Sequence, residues 1–133
     1  MNDNALKSLR VLVVDDDDLS RQLALQVLNT LGIGTAVAVE SGARALELMA
    51  ASQPLDLVIS DIEMPEMEGF EFARRIRYGA VPHCKDVPIL MLTGHDTEEN
   101  IRKGLIHRIQ GFIVKPPNAD VLKKHILRIL EKK

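Results

Sequence analysis

The chain has 133 residues and carries 17 Lys and Arg against 19 Asp and Glu, a formal net charge of −2. That length suits one domain around a single core, and the lack of a basic excess argues against direct nucleic-acid binding, which needs a cationic face to neutralise phosphates. A single cysteine excludes an internal disulfide, MNDNALKSLR lacks the apolar centre of a signal peptide, and no apolar run is long enough to span a bilayer, so the expected location is cytoplasmic with no membrane partner.

The N-terminal segment is polar and is expected to fray up to Lys7. Arg10 to Val14 is a Val-rich apolar run, too short for a helix, and reads as a strand buried on both faces. It runs into Asp15-Asp16-Asp17-Asp18, four acids that must either fan into solvent or be gathered by a cation. Leu19 to Leu31 has helical spacing, with Ala24, Val27, Leu28 and Leu31 in one stripe and Gly32 as a stop. Thr35 to Val39 is a second strand. Ser41 can cap a helix that runs to about Ala51.

Leu55 to Ser60 is the third strand, and it delivers Asp61 into a loop, Met64-Pro65 to Gly69, that cannot continue a strand. A helix follows with Phe72 and Ile76 inward. Its Arg74, Arg75 and Arg77 read as a solvated basic face, and the loop after it, with His83 and Cys84, reads as a loop without a metal. Val87 to Leu92 is the fourth strand, ending at Thr93-Gly94. Asp96 or Thr97 can cap the next helix, with Glu98 and Glu99 suited to its dipole. Gly111 to Val114 is the fifth strand, ending at Lys115-Pro116, and Asn118 caps a last helix with Leu122, Ile126 and Ile129 on one face.

Strand and helix alternate five times with short connections. That order implies right-handed crossovers and a parallel sheet with helices on both sides, whose site lies beyond the carboxyl ends of the strands. Those ends carry Asp15 and Asp16, Asp61, Thr93 and Lys115. Three carboxylates with no thiol or paired imidazole nearby suit Mg²⁺, with Mn²⁺ as a substitute. Lys115 is a mobile positive charge, Thr93 offers a hydroxyl, and Gly94 leaves room and an N–H. A carboxylate so surrounded is a nucleophile towards phosphorus.

VLVVDDDD, DLVISDIEMPEMEG, PILMLTGHD and GFIVKPP, in this order, resemble the receiver domain of two-component response regulators. The resemblance spans roughly Leu9 to Leu130, so residues 1–133 are expected to be one receiver domain without an effector domain. It implies an α/β, flavodoxin-like doubly wound sheet of five parallel strands in order 2-1-3-4-5, flanked by five helices. It makes Asp61 the phosphoacceptor, and Asp15, Asp16 and Asp61 with the Glu63 backbone carbonyl the Mg²⁺ ligands. Thr93 becomes the switch hydroxyl, Phe112 the aromatic that moves with it, and Lys115 the site lysine, with a cis bond to Pro116. The implied function is a phosphorelay switch rather than an enzyme, although it takes part in its own phosphorylation and dephosphorylation. The implied donor is a sensor histidine kinase or a histidine phosphotransfer protein. The resemblance names no downstream partner.

Two other readings share parts of the pattern. An aspartyl-phosphate phosphatase of the haloacid-dehalogenase type needs a second Asp two residues after the nucleophile, where Glu63 stands. A flavodoxin-like cofactor binder needs a phosphate-cradling loop after the first strand, where the acids stand. Leu19, Leu23, Leu25 and Leu127 lie at or beyond the edges of their helical stripes, either as scattered surface leucines or as a docking patch for a histidine-bearing helix. Glu63 and His95, two residues after Asp61 and Thr93, are placed to tune the phosphoryl lifetime.

The chain departs from the family pattern at His107-Arg108-Ile109. Receivers usually have small residues and a glycine there, and Arg108 cannot supply a left-handed stop cheaply. Gly104 in mid-helix costs about 1 kcal/mol relative to Ala. The helix before this turn is expected to be less stable than its neighbours.

Overall fold

Five apolar runs form five parallel strands: β1 (Arg10–Val14), β2 (Thr35–Val39), β3 (Leu57–Asp61), β4 (Ile89–Thr93) and β5 (Gly111–Val114). They pair in the order β2-β1-β3-β4-β5, with Val13 opposite Ile59, Ile59 opposite Leu90 and Leu92 opposite Ile113. The computed structural model describes residues 2–94 and 98–131. Its helices are α1 (Asn2–Lys7), α2 (Asp18–Thr30), α3 (Gly42–Ala51), α4 (Gly69–Arg77), α5 (Glu98–Ile106) and α6 (Ala119–Glu131).

The period of two along each strand divides the core. Leu12, Val14, Val58, Ile89 and Met91 join Ala45 and Met49 of α3 and Phe72 and Ile76 of α4 on one face. Val11, Val13, Ile59, Leu90 and Ile113 join Ala24 and Leu28 of α2 and Leu122 and Ile126 of α6 on the other. Both faces of β1, β3 and β4 are therefore covered, which is why those strands read as continuous apolar runs.

Two of the expected caps form. The Ser41 hydroxyl accepts from the Arg44 N–H at 3.1 Å, and Asn118 Oδ1 accepts from the Asp120 N–H at 2.8 Å. Asp96 and Thr97 lie outside the described residues.

Three expectations need correction. Among the described residues there are six α-helices rather than five, because Asn2–Lys7 form α1 and not a frayed end. Its Leu6 is fully buried in the α2/α6 face of the core, and the Leu6 carbonyl accepts from the Gly34 N–H at 3.2 Å. One apolar anchor in six residues is too few for periodicity to reveal. β3 and β4 also start two residues later and end one later than expected. Before β3, Asp56 is used in a turn: its N–H donates to the Arg10 carbonyl at 2.9 Å, and its Oδ2 accepts from the Arg10 N–H at 2.8 Å. Asp61 and Thr93 are therefore the last residues of their strands, held by the ladder, rather than the first residues of loops.

The third correction concerns Arg77. Arg74 and Arg75 do form an exposed face, paired with Glu71 at 2.8 and 2.9 Å, but Arg77 is only 8% exposed. It lies on the same side of α4 as Ala73 and Ile76, so its guanidinium is carried inward. There it donates to the carbonyls of Lys85, Val87, His107 and Arg108 at 2.7–3.0 Å.

Two of those acceptors belong to the turn after α5. The Arg108 N–H donates to Leu105 O at 3.4 Å and the Ile109 N–H to Gly104 O at 2.8 Å, a Schellman closure with Arg108 in the position glycine usually takes. Arg108 has φ 55°, so the helix does end on a left-handed residue, the conformation expected to be costly there. Among the described side chains of α5 only Gly104 is buried, while Leu105 and Ile106 are each 75% exposed.

Candidate functional site

The acid run is divided among three tasks. Asp17 caps α2 by accepting from the Ser20 N–H at 2.8 Å. Asp18 is exposed and pairs with Arg21. Arg21 also donates to the Asp15 carbonyl at 2.8 Å, which anchors the end of β1 to α2. Asp16 is exposed and Asp15 fully buried. With the cap supplied by Asp17, Asp15 and Asp16 are left for the strand-end rim.

Asp61 is 6% exposed at the end of β3. A side chain at Gly69 would come within 2.3 Å of the Asp61 carbonyl oxygen, and the Gly69 N–H donates to the Ile62 carbonyl at 2.7 Å. The loop that follows Asp61 thus folds back until α4 begins beside it. Lys115, just past β5, donates from Nζ to Asp61 Oδ1 at 3.0 Å and stands 3.6 Å from Asp15 Oδ2. The first contact is a charge-assisted hydrogen bond; the second is too long for one.

This leaves one oxygen without a hydrogen bond. Asp15 Oδ1 accepts from the Asp17 N–H at 3.0 Å, whereas Oδ2 is buried without a hydrogen-bond partner among the described residues. One carboxylate oxygen each of Asp15, Asp16 and Asp61 lie within 4.8 Å of one another. A buried orphan oxygen in an all-oxygen donor set with excess negative charge fits a hard divalent cation such as Mg²⁺.

Burial pushes the Asp61 carboxyl above its ordinary value, with the Asp15 charge adding to the rise, against the pull of the Lys115 hydrogen bond and charge. Burial pulls the Lys115 ammonium down, but its hydrogen bond to Asp61 and the two carboxylate charges outweigh this and raise it. Each group's opposite charge thus works against the burial that disfavours its charged form.

Beyond the pair is an open cleft of about 440 Å³. Asp61, Ile62, Glu63, Thr93, Gly94, Asn100 and Lys115 line it. The structure therefore brings together Asp15, Asp16 and Asp61 as one cluster, and Asp61, Thr93, Lys115 and Glu63 around one cleft. His95 lies outside the described residues. Phe112 is not in the cleft. It is half-buried beneath α5, with its ring 6.3 Å from that of Phe70 and in the space that a side chain at Gly104 would occupy. Gly104 is thus explained by packing: the missing Cβ makes room for the Phe112 ring.

Asn100 was missed from the sequence. It stands in the first turn of the helix leaving β4, a turn that must face the strand-end rim in this topology, and that position was the available signal. His83 has Nε2 3.1 Å from the Met49 carbonyl, and Cys84 is buried in the core; neither belongs to the acidic cluster. Leu19 is exposed and Leu23 partly so, whereas Leu25 packs against the α2/α6 face of the core.

A family model described as the response regulator receiver domain matches residues 11–127. Chemotaxis protein CheY-3 of Vibrio cholerae is 31% identical over 126 residues, covering 95% of each chain. CheY of Pseudomonas aeruginosa is 30% identical over 124 residues, covering 93% of this chain and 98% of the relative. Among solved structures, the receiver domain of the histidine kinase CKI1 from Arabidopsis thaliana, complexed with Mg²⁺ and BeF₃⁻, superposes with a TM-score of 0.85. It is 31% identical, with coverage of 98% of this chain and 95% of that one. Vibrio cholerae CheY4 gives a TM-score of 0.82 at 34% identity, covering 91% of this chain and 98% of that one.

Proposed function

The chain belongs to the response regulator receiver domain family and is a phosphoacceptor receiver of two-component signalling, and on that premise we propose that Asp61 is the residue that takes the phosphoryl group. The observation that carries this reading is the pairing of a nearly buried strand-end carboxylate with Lys115 at 3.0 Å, beside a second buried carboxylate with an unmatched oxygen. An oxygen of Asp61 forms a bond to phosphorus as the P–N bond of a phosphohistidine breaks, and the imidazole leaves with that electron pair. Lys115 moves its hydrogen bond from the carboxylate to a phosphoryl oxygen. The Thr93 hydroxyl and the Gly94 N–H, on the same cleft, donate to the others.

Asp15, Asp16, Asp61 and the Glu63 backbone carbonyl would hold Mg²⁺, or Mn²⁺ in its place. When bound, the ion supplies positive charge for the phosphoryl oxygens and offsets the carboxylate cluster. The phosphorylated state is read through Thr93 and Phe112. Thr93 is drawn towards the phosphoryl group, and Phe112, under α5, repacks with it. A few kcal/mol of differential interaction suffices to move such an equilibrium. The phosphoryl donor is a sensor histidine kinase or a histidine phosphotransfer protein, and the chain is a switch rather than an enzyme.

The test is intact-protein mass spectrometry after incubation with acetyl phosphate and Mg²⁺, on the wild type and Asp61→Ala. One phosphoryl group is expected on the wild type and none on the variant. A variant that is still labelled would move the phosphoacceptor elsewhere. Turnover of a generic phosphomonoester by the wild type would favour the phosphatase reading instead.

A further inference from the structure

Asp61 and its cleft lie at the carboxyl edge of the sheet. A second cavity, of about 390 Å³, opens at the opposite edge. Its residues Leu55, Val87 and Gln110 precede β3, β4 and β5, and α6 closes it with His125, Arg128 and Ile129. None of the proposed phosphoryl chemistry uses it.

The walls are fixed by specific contacts. Gln110 Oε1 accepts from the Ile89 N–H at 2.6 Å, and the Gln110 N–H donates to the Ile89 carbonyl at 2.8 Å. The Lys85 and Val87 carbonyls are held by Arg77. His83 is tied to the Met49 carbonyl. The His125 ring occupies the space that a side chain at residue 111 would need. A cavity with such walls exists before any ligand arrives, which lowers the ordering cost of binding.

Its chemistry is mixed. Leu55, Pro82, Val87, Pro88 and Ile129 give apolar walls. Lys85 and Arg128 stand at it as cations, and among the described residues neither side chain is in an ion pair. The one acid on the lining, Asp86, is matched by Arg108 at 3.2 Å. Burial and the nearby Arg128 charge lower the His125 imidazole, which favours its neutral form. Two cations without an ion pair among the described residues, beside apolar walls, fit an anionic group carried on an apolar body. The volume is near the lower end of ligand pockets, roughly 300 to 1,000 Å³.

We propose that this cavity is a binding site for a small amphipathic carboxylate, with the carboxylate at Arg128 and Lys85 and the apolar body between Leu55, Val87 and Ile129. The test is a titration of the full ¹⁵N-labelled chain with octanoate, and separately with octylammonium, at pH 7. Octanoate should give saturable shifts at the amides of Val87, Gln110 and Ile129, while octylammonium should give none. Arg128→Glu, a change at an exposed residue, should weaken octanoate at least tenfold. Lys85→Glu should weaken it in the same direction. Shifts that do not saturate, equal shifts from octylammonium, shifts centred on Glu63 and Gly94, or unchanged affinity in both variants would each overturn the proposal.

Discussion

Arg77→Met keeps an unbranched side chain in place and removes every hydrogen bond the guanidinium makes. Four carbonyls lose a donor: Lys85 at 2.9 Å, Val87 at 2.7 Å, His107 at 3.0 Å and Arg108 at 2.9 Å. Hydrogen bonds to a charged group contribute about 1.5–3 kcal/mol each, so the low end for four is about 6 kcal/mol. Against this stands the cost of holding the charge away from water. Burial pulls the Arg77 pKa down to about 10, with the Arg108 charge helping, which corresponds to about 3 kcal/mol. The difference predicts that Arg77→Met destabilises the fold by about 3 kcal/mol, a large part of a typical total of about 5–15 kcal/mol. Urea unfolding measures it. Amide exchange then locates it: Arg108 and Ile109, whose N–H groups close the turn, should lose protection more than β1 or β3. Arg77→Lys should recover only a minor part, since one ammonium cannot reach four carbonyls in a fixed fork. A loss below about 1 kcal/mol with unchanged exchange at residues 105–109 would refute the reasoning, because the contacts would then be ornaments on a turn that closes without them.

Gly104→Ala should gain about 1 kcal/mol from helix propensity. The new Cβ would lie 2.6 and 2.7 Å from Phe112 ring atoms, and overpacking of this kind costs about 1–3 kcal/mol. A net loss of about 1 kcal/mol in urea unfolding is expected, and a gain of the full propensity value would show that the ring is not held there. Arg108→Gly removes a left-handed backbone cost of about 1–2 kcal/mol and an exposed ion pair with Asp86 worth about 0–1 kcal/mol. It should raise stability by about 1 kcal/mol, and a lower urea midpoint would contradict this. His107 is lowered by burial and then by Arg74, and His125 by burial and then by Arg128. Lowered imidazoles stabilise the fold fully above the unfolded value of about 6.5, and that contribution is lost as pH falls through their folded values. Wild type should therefore lose more stability between pH 8 and pH 5 than a His107→Gln, His125→Gln variant, and equal losses would remove both imidazoles from the account.

The amino-acid sequence by itself determined the strands, the helices that follow them and the caps at Ser41 and Asn118, because these depend on local periodicity and on side chains a few residues apart. It also determined the strand-end set of Asp15, Asp61, Thr93 and Lys115, since in a parallel sheet every such end reaches one edge. The strand order is not local; it came from the resemblance, and the pairing of β1 between β2 and β3 agrees with it.

Tertiary structure alone decided which of four consecutive acids is buried and which caps a helix. It alone decided that Asn100 reaches the cleft and that Leu6 anchors α1. The basic cluster on α4 shows the reason most plainly. Arg74, Arg75 and Arg77 are alike in sequence, yet among the described residues only Arg77 of the three meets carbonyls, and they belong to two other segments, one near residue 86 and one near residue 108. Nothing within a few residues of Arg77 encodes those carbonyls. Burying a charge depends on partners that only the folded chain assembles, so such a residue looks solvated until the fold is known.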